Sequence, residues 1–145
     1  MHKVAPQIEA GINIPLIHIA DATAEQLRKD GVERVGLLGT RFTMEQEFYR
    51  DRLTQRFGIE VLIPEQPERE LVHRVIYDEL CLGKIEDNSR REYLSIMAEL
   101  AGRGAQAIIL GCTEIALLVQ QQHTAIHLYD TTQLHCAAAV RTATA

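Results

Sequence analysis

Short apolar runs alternate with amphipathic stretches along the chain, and this alternation determines the predicted architecture. Apolar runs predict strands at residues 14–19, 35–38, 60–63, 107–110 and 126–129. Between most of these runs, apolar residues recur at the three- and four-residue spacing of a helix with one buried face. Strands that alternate with helices are typical of βαβ units, in which neighbouring strands run parallel and helices cover the sheet. The pattern therefore predicts an α/β fold with a parallel three-layer (αβα) sheet.

Helix boundaries are predicted from the residues that begin and end helices. A short helix is expected over residues 24–29, and a longer one at Thr43, because Thr43-Met44-Glu45-Gln46 fits a capping box. Two further helices follow the third predicted strand without a strand between them, and the break between them is predicted at Leu82-Gly83. An alanine-rich helix is expected over residues 131–142.

Composition and charge narrow the classes of function. Hydrophobic residues make up 46% of the 145 residues and charged residues 24%, which is typical of one globular domain. The formal net charge is −5 and basic residues are scattered, which argues against nucleic acid or an anionic membrane as a partner. No apolar run reaches the roughly 20 residues of a membrane span, and the first residues lack the apolar stretch of a secretory signal. We therefore expect a cytoplasmic protein.

The cysteines and histidines predict neither a disulfide framework nor a metal site. Cys81, Cys112 and Cys136 are an odd number of widely spaced residues, so reduced thiols are expected. His123 and His127 have a four-residue spacing, but the residues between them lead into a predicted strand. The two rings would therefore not share one face of a helix, as a metal site at this spacing requires.

Candidate chemistry lies at the ends of two predicted strands. In open α/β sheets, ligands bind beyond the carboxyl ends of the strands. One strand ends in Gly39-Thr40, with Thr43 shortly after it, and another runs into Gly111-Cys112-Thr113-Glu114. We expect Cys112 to lie near the free amides of a following helix, which would lower the pKa of its thiol and make it the most readily alkylated of the three cysteines.

The residues after the cysteine have chemical uses of their own. Thr113 offers a hydroxyl and an amide to a carboxylate, and Glu114 can orient an ammonium group or move a proton. From position alone, Cys112 is explained equally well as a small buried core residue. A phosphatase loop is disfavoured, since it needs an arginine where Leu118 stands, and the sequence places no histidine for a Cys-His hydrolase.

Two segments and their spacing resemble the aspartate/glutamate racemase family. They are residues 35–45, with the sequence VGLLGTRFTME, and residues 108–115, with the sequence IILGCTEI. The helix pair that starts near Ile76 and the terminal Tyr129-Asp130-Thr131 also match, so the resemblance covers essentially the whole chain. It implies a cofactor-independent amino-acid racemase, and a fold that corresponds to the second domain of the two-domain racemase fold.

The resemblance also implies roles for five residues. Cys112 corresponds to one of the family's two catalytic thiols, and Thr113 to a threonine that holds the substrate carboxylate. Thr40 and Thr43 correspond to threonines on the substrate side. Glu114 occupies a position that is glutamate in the aspartate-type branch, so it is also placed at the substrate.

The resemblance further implies that the family's first half is missing. Met1-His2 resemble the end of the motif that carries the other catalytic cysteine. Residues 1–20 are thus expected to be a remnant of the first domain with a helix and a strand, and residues 21–123 to be the second domain. Residues 124–145 are expected to be a strand and helix that return to the missing domain. The core is predicted over residues 32–122, with the flanking segments as satellites.

One thiol serves only one face of the planar intermediate of racemisation, so the chain alone is expected to be inactive. Cys81, where some aspartate-type members have a lysine, and Cys136 are expected to be structural. Two alternatives stay open, a one-cysteine decarboxylase-like lyase and a non-catalytic remnant. The implied partners are a small acidic amino acid and a second copy in a dimer, with no cofactor. Unpaired strand edges are expected to favour self-association.

Overall fold

The computed structural model describes residues 2–145, which form a four-stranded parallel sheet. The strands are β1 (Arg34–Leu38), β2 (Glu60–Leu62), β3 (Ala107–Leu110) and β4 (His127–Asp130). Their order is β2-β1-β3-β4, and every neighbouring pair is parallel. After β1 the chain adds β2 on one side of β1 and then crosses over to add β3 on the other side. The topological switch point therefore lies between β1 and β3. Met1 and the side chain of His2, where a motif end is predicted, lie outside the described part.

Helices cover both faces of this sheet, as the sequence predicts. The α-helices are α1 (Ala5–Gly11), α2 (Ile19–Lys29), α3 (Arg41–Glu45), α4 (Glu47–Phe57), α5 (Gln66–Asp78), α6 (Asp87–Gly102), α7 (Ile115–Leu118) and α8 (Thr131–Thr144). One core packs α5, α6 and α7 on the sheet, and a second packs α2, α4 and α8 on its other face. The fold class is therefore confirmed as a three-layer αβα sheet.

The strands are buried because both of their faces are covered. Along β3, Ile108 and Leu110 belong to the core of α5 and α6, whereas Ala107 and Ile109 belong to the core of α2 and α4. All four side chains are buried, which explains why the sequence of β3 is continuously apolar rather than alternating. The predicted bounds of β3 agree with the structure.

The strand predicted at residues 14–19 is not formed. The chain is irregular there and enters α2 at Ile19, five residues before the predicted helix start. Pro15 has no amide to donate to a strand partner. The Ile17 carbonyl lies 2.8 Å from the ring Nε2 of His135 on α8, so a side chain takes the place of a neighbouring strand.

The capping box predicted at Thr43 is also wrong. Thr43 lies inside α3, and the N-cap is Thr40, whose Oγ1 accepts a long hydrogen bond of 3.5 Å from the Thr43 amide. The helix then breaks at Gln46, which has an extended backbone, and α4 begins at Glu47. Thr40 and Thr43 are both suitable cap residues and lie three positions apart. Because β1 ends at Leu38, the helix can begin directly after Thr40, and Thr43 then falls inside α3.

Residues 124–145 do not pack as a satellite of the core. β4 pairs with β3 along its whole length, and α8 packs on α2. Thr131 Oγ1 donates to the Leu110 carbonyl at 2.9 Å, and the Tyr129 hydroxyl donates to Asp30 Oδ2 at 2.7 Å. The first bond connects the start of α8 to β3, and the second connects β4 to the end of α2.

The outer edge of β4 is partly closed by a side chain. Gln121 Nε2 donates to the Ile126 carbonyl and Gln121 Oε1 accepts from the Leu128 amide, both at 2.9 Å. The Gln121 side chain thus forms hydrogen bonds with two backbone groups of the β4 edge to which an added strand would bond. The β4 edge is therefore not the open pairing surface that the sequence analysis expects.

Replacing Gln121 should expose this edge. In Gln121→Ala, the Leu128 amide loses its partner, so we expect the free energy of unfolding to fall by about 1 kcal/mol and self-association to increase. Urea unfolding and light scattering measure the two effects. Gln122→Ala, at the exposed neighbouring residue, is the matched control, and equal behaviour of the two variants would contradict the role given to Gln121.

Candidate active site

The carboxyl ends of β1 and β3 meet at the switch point because both are followed by glycine. The Gly111 amide donates to the Leu38 carbonyl at 2.7 Å. A Cβ added at Gly111 would lie 2.8 Å from the Leu38 carbonyl oxygen, closer than real Cβ contacts. A Cβ added at Gly39 would lie 3.1 Å from Thr43 Cβ. Glycine thus allows the two strand ends, with the segments that follow them, to approach closely.

This approach brings the two predicted threonines to the cysteine loop. Thr40 Oγ1 and Thr43 Oγ1 lie 3.3 Å apart, and both residues are half-buried. The Thr43 methyl lies 3.5 Å from the Cβ position of Gly111, so Thr43 packs between the two strand ends. Two hydroxyls therefore lie at the same edge of the sheet as Cys112, as the sequence analysis predicts.

The thiol of Cys112 is held by the carboxylate of Glu114. Cys112 Sγ donates to Glu114 Oε2 at 2.7 Å, and the Thr113 side chain also bonds Glu114. Both Cys112 and Glu114 are half-buried, whereas Thr113 is exposed. The Cys112 side chain packs against the core formed with α5 and α6. The structure thus joins the thiol and the carboxylate in one hydrogen-bonded pair.

The expectation of a lowered thiol pKa is wrong. Burial raises the pKa of Cys112 to about 12, and the hydrogen bond and charge of Glu114 add to this effect. The same hydrogen bond, followed by that from Thr113, lowers the pKa of Glu114. α7 is only four residues long, so its dipole is too small to outweigh burial and a neighbouring negative charge. The resting pair is a neutral thiol donating to a carboxylate.

The structure also places at the site Cys81, which the sequence led us to expect as structural, and Tyr93, for which the sequence predicted no role there. Cys81 lies in a 3-10 turn (Leu80–Leu82) that packs against α7, and its charge acts on Cys112. Tyr93 is buried beneath the site, donates to the Val72 carbonyl at 2.8 Å, and has its pKa raised by burial and then by the charge of Cys112. Gly83, which ends the 3-10 turn at φ 74°, is the sequence signal that the chain turns back here.

Four elements near the candidate site carry exposed apolar side chains. Phe42 on α3 lies edge-on to His73, which in turn contacts Tyr77 on α5. Leu82 lies in the 3-10 turn and Leu117 on α7. The exposed fractions are 57% for Phe42, 48% for Tyr77, 65% for Leu82 and 58% for Leu117. Apolar groups on α3, α5, α7 and the 3-10 turn are therefore in contact with water.

His123 and His127 each contact a neighbouring protein group. Among the described side chains, no group of three or more His, Cys, Asp or Glu is arranged to hold a metal ion. His123 Nδ1 accepts from the Gln120 amide at 2.9 Å, and the His127 ring stacks on Tyr129. No helix in the described part of the chain is long and apolar enough to cross a membrane.

Comparison with known proteins gives one family. The family model described as Asp/Glu/Hydantoin racemase matches residues 1–139. A Pectobacterium carotovorum subsp. carotovorum protein, described as an uncharacterized protein in the pnlA 3' region, is 28% identical over 111 residues. That match covers 74% of this chain and 69% of the Pectobacterium protein.

Solved structures agree with this match. A Yersinia pestis protein assigned as an Asp/Glu racemase is 52% identical, with a TM-score of 0.96 over 100% of this chain. An aspartate racemase homologue from Pyrococcus horikoshii OT3 is 31% identical, with a TM-score of 0.91 over 99% of this chain. This chain spans 63% of the length of each of them. The Picrophilus torridus aspartate racemase, at 23% identity and a TM-score of 0.67, shares the fold over 87% of this chain and 52% of its own.

The protonation state of the Cys112 thiol can be inferred from its rate of alkylation. Iodoacetamide reacts with thiolates, so we expect Cys112 to be labelled more slowly than Cys81 and Cys136 at pH 8, with a rate that still rises above about pH 10. Glu114→Gln removes the negative charge, and labelling of Cys112 should speed up about tenfold for each unit by which its pKa falls. Peptide mass spectrometry measures the rates.

This labelling experiment has a matched control. Glu25→Gln changes an exposed carboxylate on α2, on the other face of the sheet, and should leave the rate at Cys112 unchanged. Labelling of Cys112 before the other two cysteines at pH 8 would contradict a neutral thiol.

A side chain at Gly111 should separate the two strand ends. The added Cβ in Gly111→Ala meets Leu38 O at 2.8 Å and Leu37 Cδ1 at 3.0 Å. We therefore expect a loss of about 1–3 kcal/mol in the free energy of unfolding, measured in urea. Gly102→Ala is the control, since a Cβ there meets nothing within 4 Å. Equal stability of the two variants would show that the close approach is not required.

Proposed function

Because the chain belongs to the Asp/Glu/hydantoin racemase family, we propose that Cys112 and Glu114 move the α-proton of a small acidic amino acid in a PLP-independent racemisation. The observation that carries the proposal is the 2.7 Å hydrogen bond from Cys112 Sγ to Glu114 Oε2. It lies at the switch point of the sheet, which is the usual place of ligand binding in this fold class.

The pair is suited to proton transfer because a hydrogen bond joins its two titratable groups. With one proton in the pair, transfer from Cys112 to Glu114 leaves a thiolate that can take the α-proton of the substrate. With two protons, the thiol can give its proton to the planar carbanion while Glu114 stays protonated beside the new thiolate. The raised pKa of Cys112 keeps its thiol protonated at rest, so the thiol is ready to give a proton, whereas the thiolate that takes one forms only when Glu114 accepts the proton of Cys112.

The hydroxyls at the edge supply the contacts for the substrate. Thr40 and Thr43 hold their Oγ1 atoms 3.3 Å apart, and Thr113 is exposed beside Glu114. Hydroxyl donors suit the carboxylate of an amino acid, whose added charge in the carbanion they would also stabilise. Gly39 and Gly111 let Thr43 pack between the strand ends, which places its hydroxyl at the edge where the substrate would bind.

Racemisation needs a second acid or base on the opposite face of the carbanion. Cys112 with Glu114 serves one face, and Thr113 between them is exposed to water. Water around the pair would weaken the hydrogen bonds and charges that should stabilise the carbanion. We therefore infer that residues 1–145 alone do not complete the reaction.

A one-cysteine lyase is the second candidate. The observation that favours it is the protonated resting thiol, since decarboxylation of an arylmalonate needs one proton donor to the planar intermediate. Residues 1–145 should then decarboxylate an arylmalonate with release of carbon dioxide, and Cys112→Ala should abolish this release. We favour the racemase because a paired carboxylate suits a thiol that must also act as a base.

We expect residues 1–145 to show no interconversion of L- and D-aspartate or of L- and D-glutamate. The reason is that one thiol reaches one face of the carbanion. Chiral chromatography after long incubation with each enantiomer measures this, with Cys112→Ala as the control for contaminating host racemase. Interconversion that disappears in Cys112→Ala would contradict the inference and would require a second acid or base within this chain or its partner copy.

Exchange of the α-proton tests the Cys112–Glu114 pair itself, because exchange needs one base. In deuterium oxide, we expect residues 1–145 to exchange the α-proton of one enantiomer of aspartate or glutamate slowly and without inversion. Glu114→Gln should lower the rate by about 10²-fold or more, and Cys112→Ala should abolish it. Cys136→Ala, at an exposed thiol on α8, should exchange like the unchanged chain. Exchange unaffected by Cys112→Ala, or absent altogether, would argue against the proposal.

A further inference from the structure

The two threonines of the candidate site belong to a helix that is too short to be stable alone. Thr40 is the N-cap of α3 and Thr43 lies inside it, and α3 has five residues. Isolated helices shorter than about 12–15 residues are marginal in water, so contacts from outside must hold such a segment in place. The positions of the Thr40 and Thr43 hydroxyls therefore depend on what α3 contacts.

The neighbouring helix α5 holds α3 at both ends. At the first residue of α3, the Arg41 amide donates to His73 Nδ1 at 3.0 Å. At the last residue, Glu45 Oε1 accepts from Arg69 Nε at 3.1 Å. Arg69 and His73 are four residues apart, which places them on one face of α5. α5 is itself anchored in the core by buried apolar residues, so it is a firm support for α3.

The hydrogen bond to His73 is the contact that acts most directly on the threonines. It holds the backbone of Arg41, which follows Thr40 and precedes Thr43 by two residues. Within α3 itself, the Thr43 amide reaches Thr40 Oγ1 only at 3.5 Å, which is long for a hydrogen bond. The ion pair at the other end of α3 joins two partly exposed side chains, so it contributes little. His73 thus holds the start of α3 more closely than the helix's own cap.

The His73 ring is flanked by two other aromatic rings. Its centroid lies 4.8 Å from that of Tyr77 and 6.3 Å from that of Phe42, which meets it edge-on. Nδ1 can accept the Arg41 proton only when it carries no proton of its own, so the ring proton is on Nε2. A carbonyl oxygen in the place of Nδ1 could accept the same proton, whereas a phenyl ring could not.

We propose that His73 is a positioning residue for the candidate site. By accepting from the Arg41 amide, it fixes the start of α3 and thereby the 3.3 Å spacing of the Thr40 and Thr43 hydroxyls. His73 acts through α3 and has no contact of its own with the substrate. Its effect on the substrate rests on the proposed function, whereas its hold on α3 does not.

Three variants separate the acceptor atom from the ring. His73→Phe keeps an aromatic ring beside the two aromatic neighbours but has no acceptor. His73→Asn has no ring, but its side-chain oxygen stands in the place of Nδ1 and can accept from the Arg41 amide. His123→Phe is the matched control, because His123 Nδ1 accepts from the Gln120 amide at 2.9 Å in the 3-10 turn Gln121–His123, which precedes β4.

Amide hydrogen exchange, followed by nitrogen-15 NMR, measures the hold on α3. We expect the Arg41 amide to exchange about fivefold faster in His73→Phe, which is the effect of one lost hydrogen bond. In His73→Asn and His123→Phe it should exchange as in the unchanged chain. The methyl resonances of Thr40 and Thr43 should move in His73→Phe alone. The amides of β3, in the same spectra, show that each variant is folded.

Two results of this experiment would overturn the proposal. The first is Arg41 exchange at the same rate in His73→Phe and in the unchanged chain. The second is His73→Asn that behaves like His73→Phe, since the acceptor atom would then not be the cause. Both results are obtained without turnover, so they are distinct from failure of the proposed racemisation.

Exchange of the α-proton of aspartate in deuterium oxide measures the effect on the substrate. We expect His73→Phe to slow this exchange about tenfold or more, because misplaced hydroxyls hold the substrate poorly. The slowing should be largest at low aspartate concentration, as a raised KM, and His73→Asn should restore the rate. An unchanged rate in His73→Phe would overturn the positioning role. Absence of exchange in the unchanged chain would contradict the proposed function instead, and the Arg41 amide would still decide whether His73 holds α3.

Discussion

The candidate site depends on the close approach of β1 and β3 at their carboxyl ends. The Gly111 amide bonds the Leu38 carbonyl at 2.7 Å, in a space where a Cβ would lie 2.8 Å from the same oxygen. Because no side chain stands between the strand ends, the Thr43 methyl can pack there and carry its hydroxyl to the edge. The topology adds the second requirement, since β2 and β3 flank β1 on opposite sides, and the switch point between β1 and β3 is where ligands bind in this fold class.

The chemistry of the site follows from a balance between burial and charge. Burial and the Glu114 carboxylate both disfavour a thiolate at Cys112, and the one-turn helix α7 offers little compensation. A nucleophilic thiol would be impaired by such surroundings. A thiol that gives its proton to carbon needs no thiolate at rest, and Glu114 is placed to accept that proton when the thiol must act as a base. The surroundings of Cys112 thus favour proton transfer over covalent catalysis.

Much of the fold could be predicted from local sequence, whereas the properties of the site could not. The apolar run at residues 107–110 predicted a strand with the bounds that β3 has, and Gly111-Cys112-Thr113-Glu114 predicted that the candidate thiol follows it. The strand predicted at residues 14–19 is absent because a ring from α8 bonds the Ile17 carbonyl, a contact between residues 118 positions apart. The pKa of the Cys112 thiol depends on the length of α7 and on the direction of the Glu114 side chain. The position of Cys81 depends on the packing of the 3-10 turn Leu80–Leu82 against α7. None of these is visible in the pattern of apolar positions.

The neutral thiol of Cys112 donating to an ionised Glu114 is the central claim, and carbon-13 NMR of the two side chains across pH tests it most directly. The account predicts that the Cys112 Cβ resonance stays that of a neutral thiol until the pH approaches about 12. The Glu114 carboxyl resonance should already be that of a carboxylate at neutral pH, with its transition below the ordinary range of glutamate. A Cys112 resonance that shows a thiolate at neutral pH, or a Glu114 carboxyl that stays protonated there, would contradict the account.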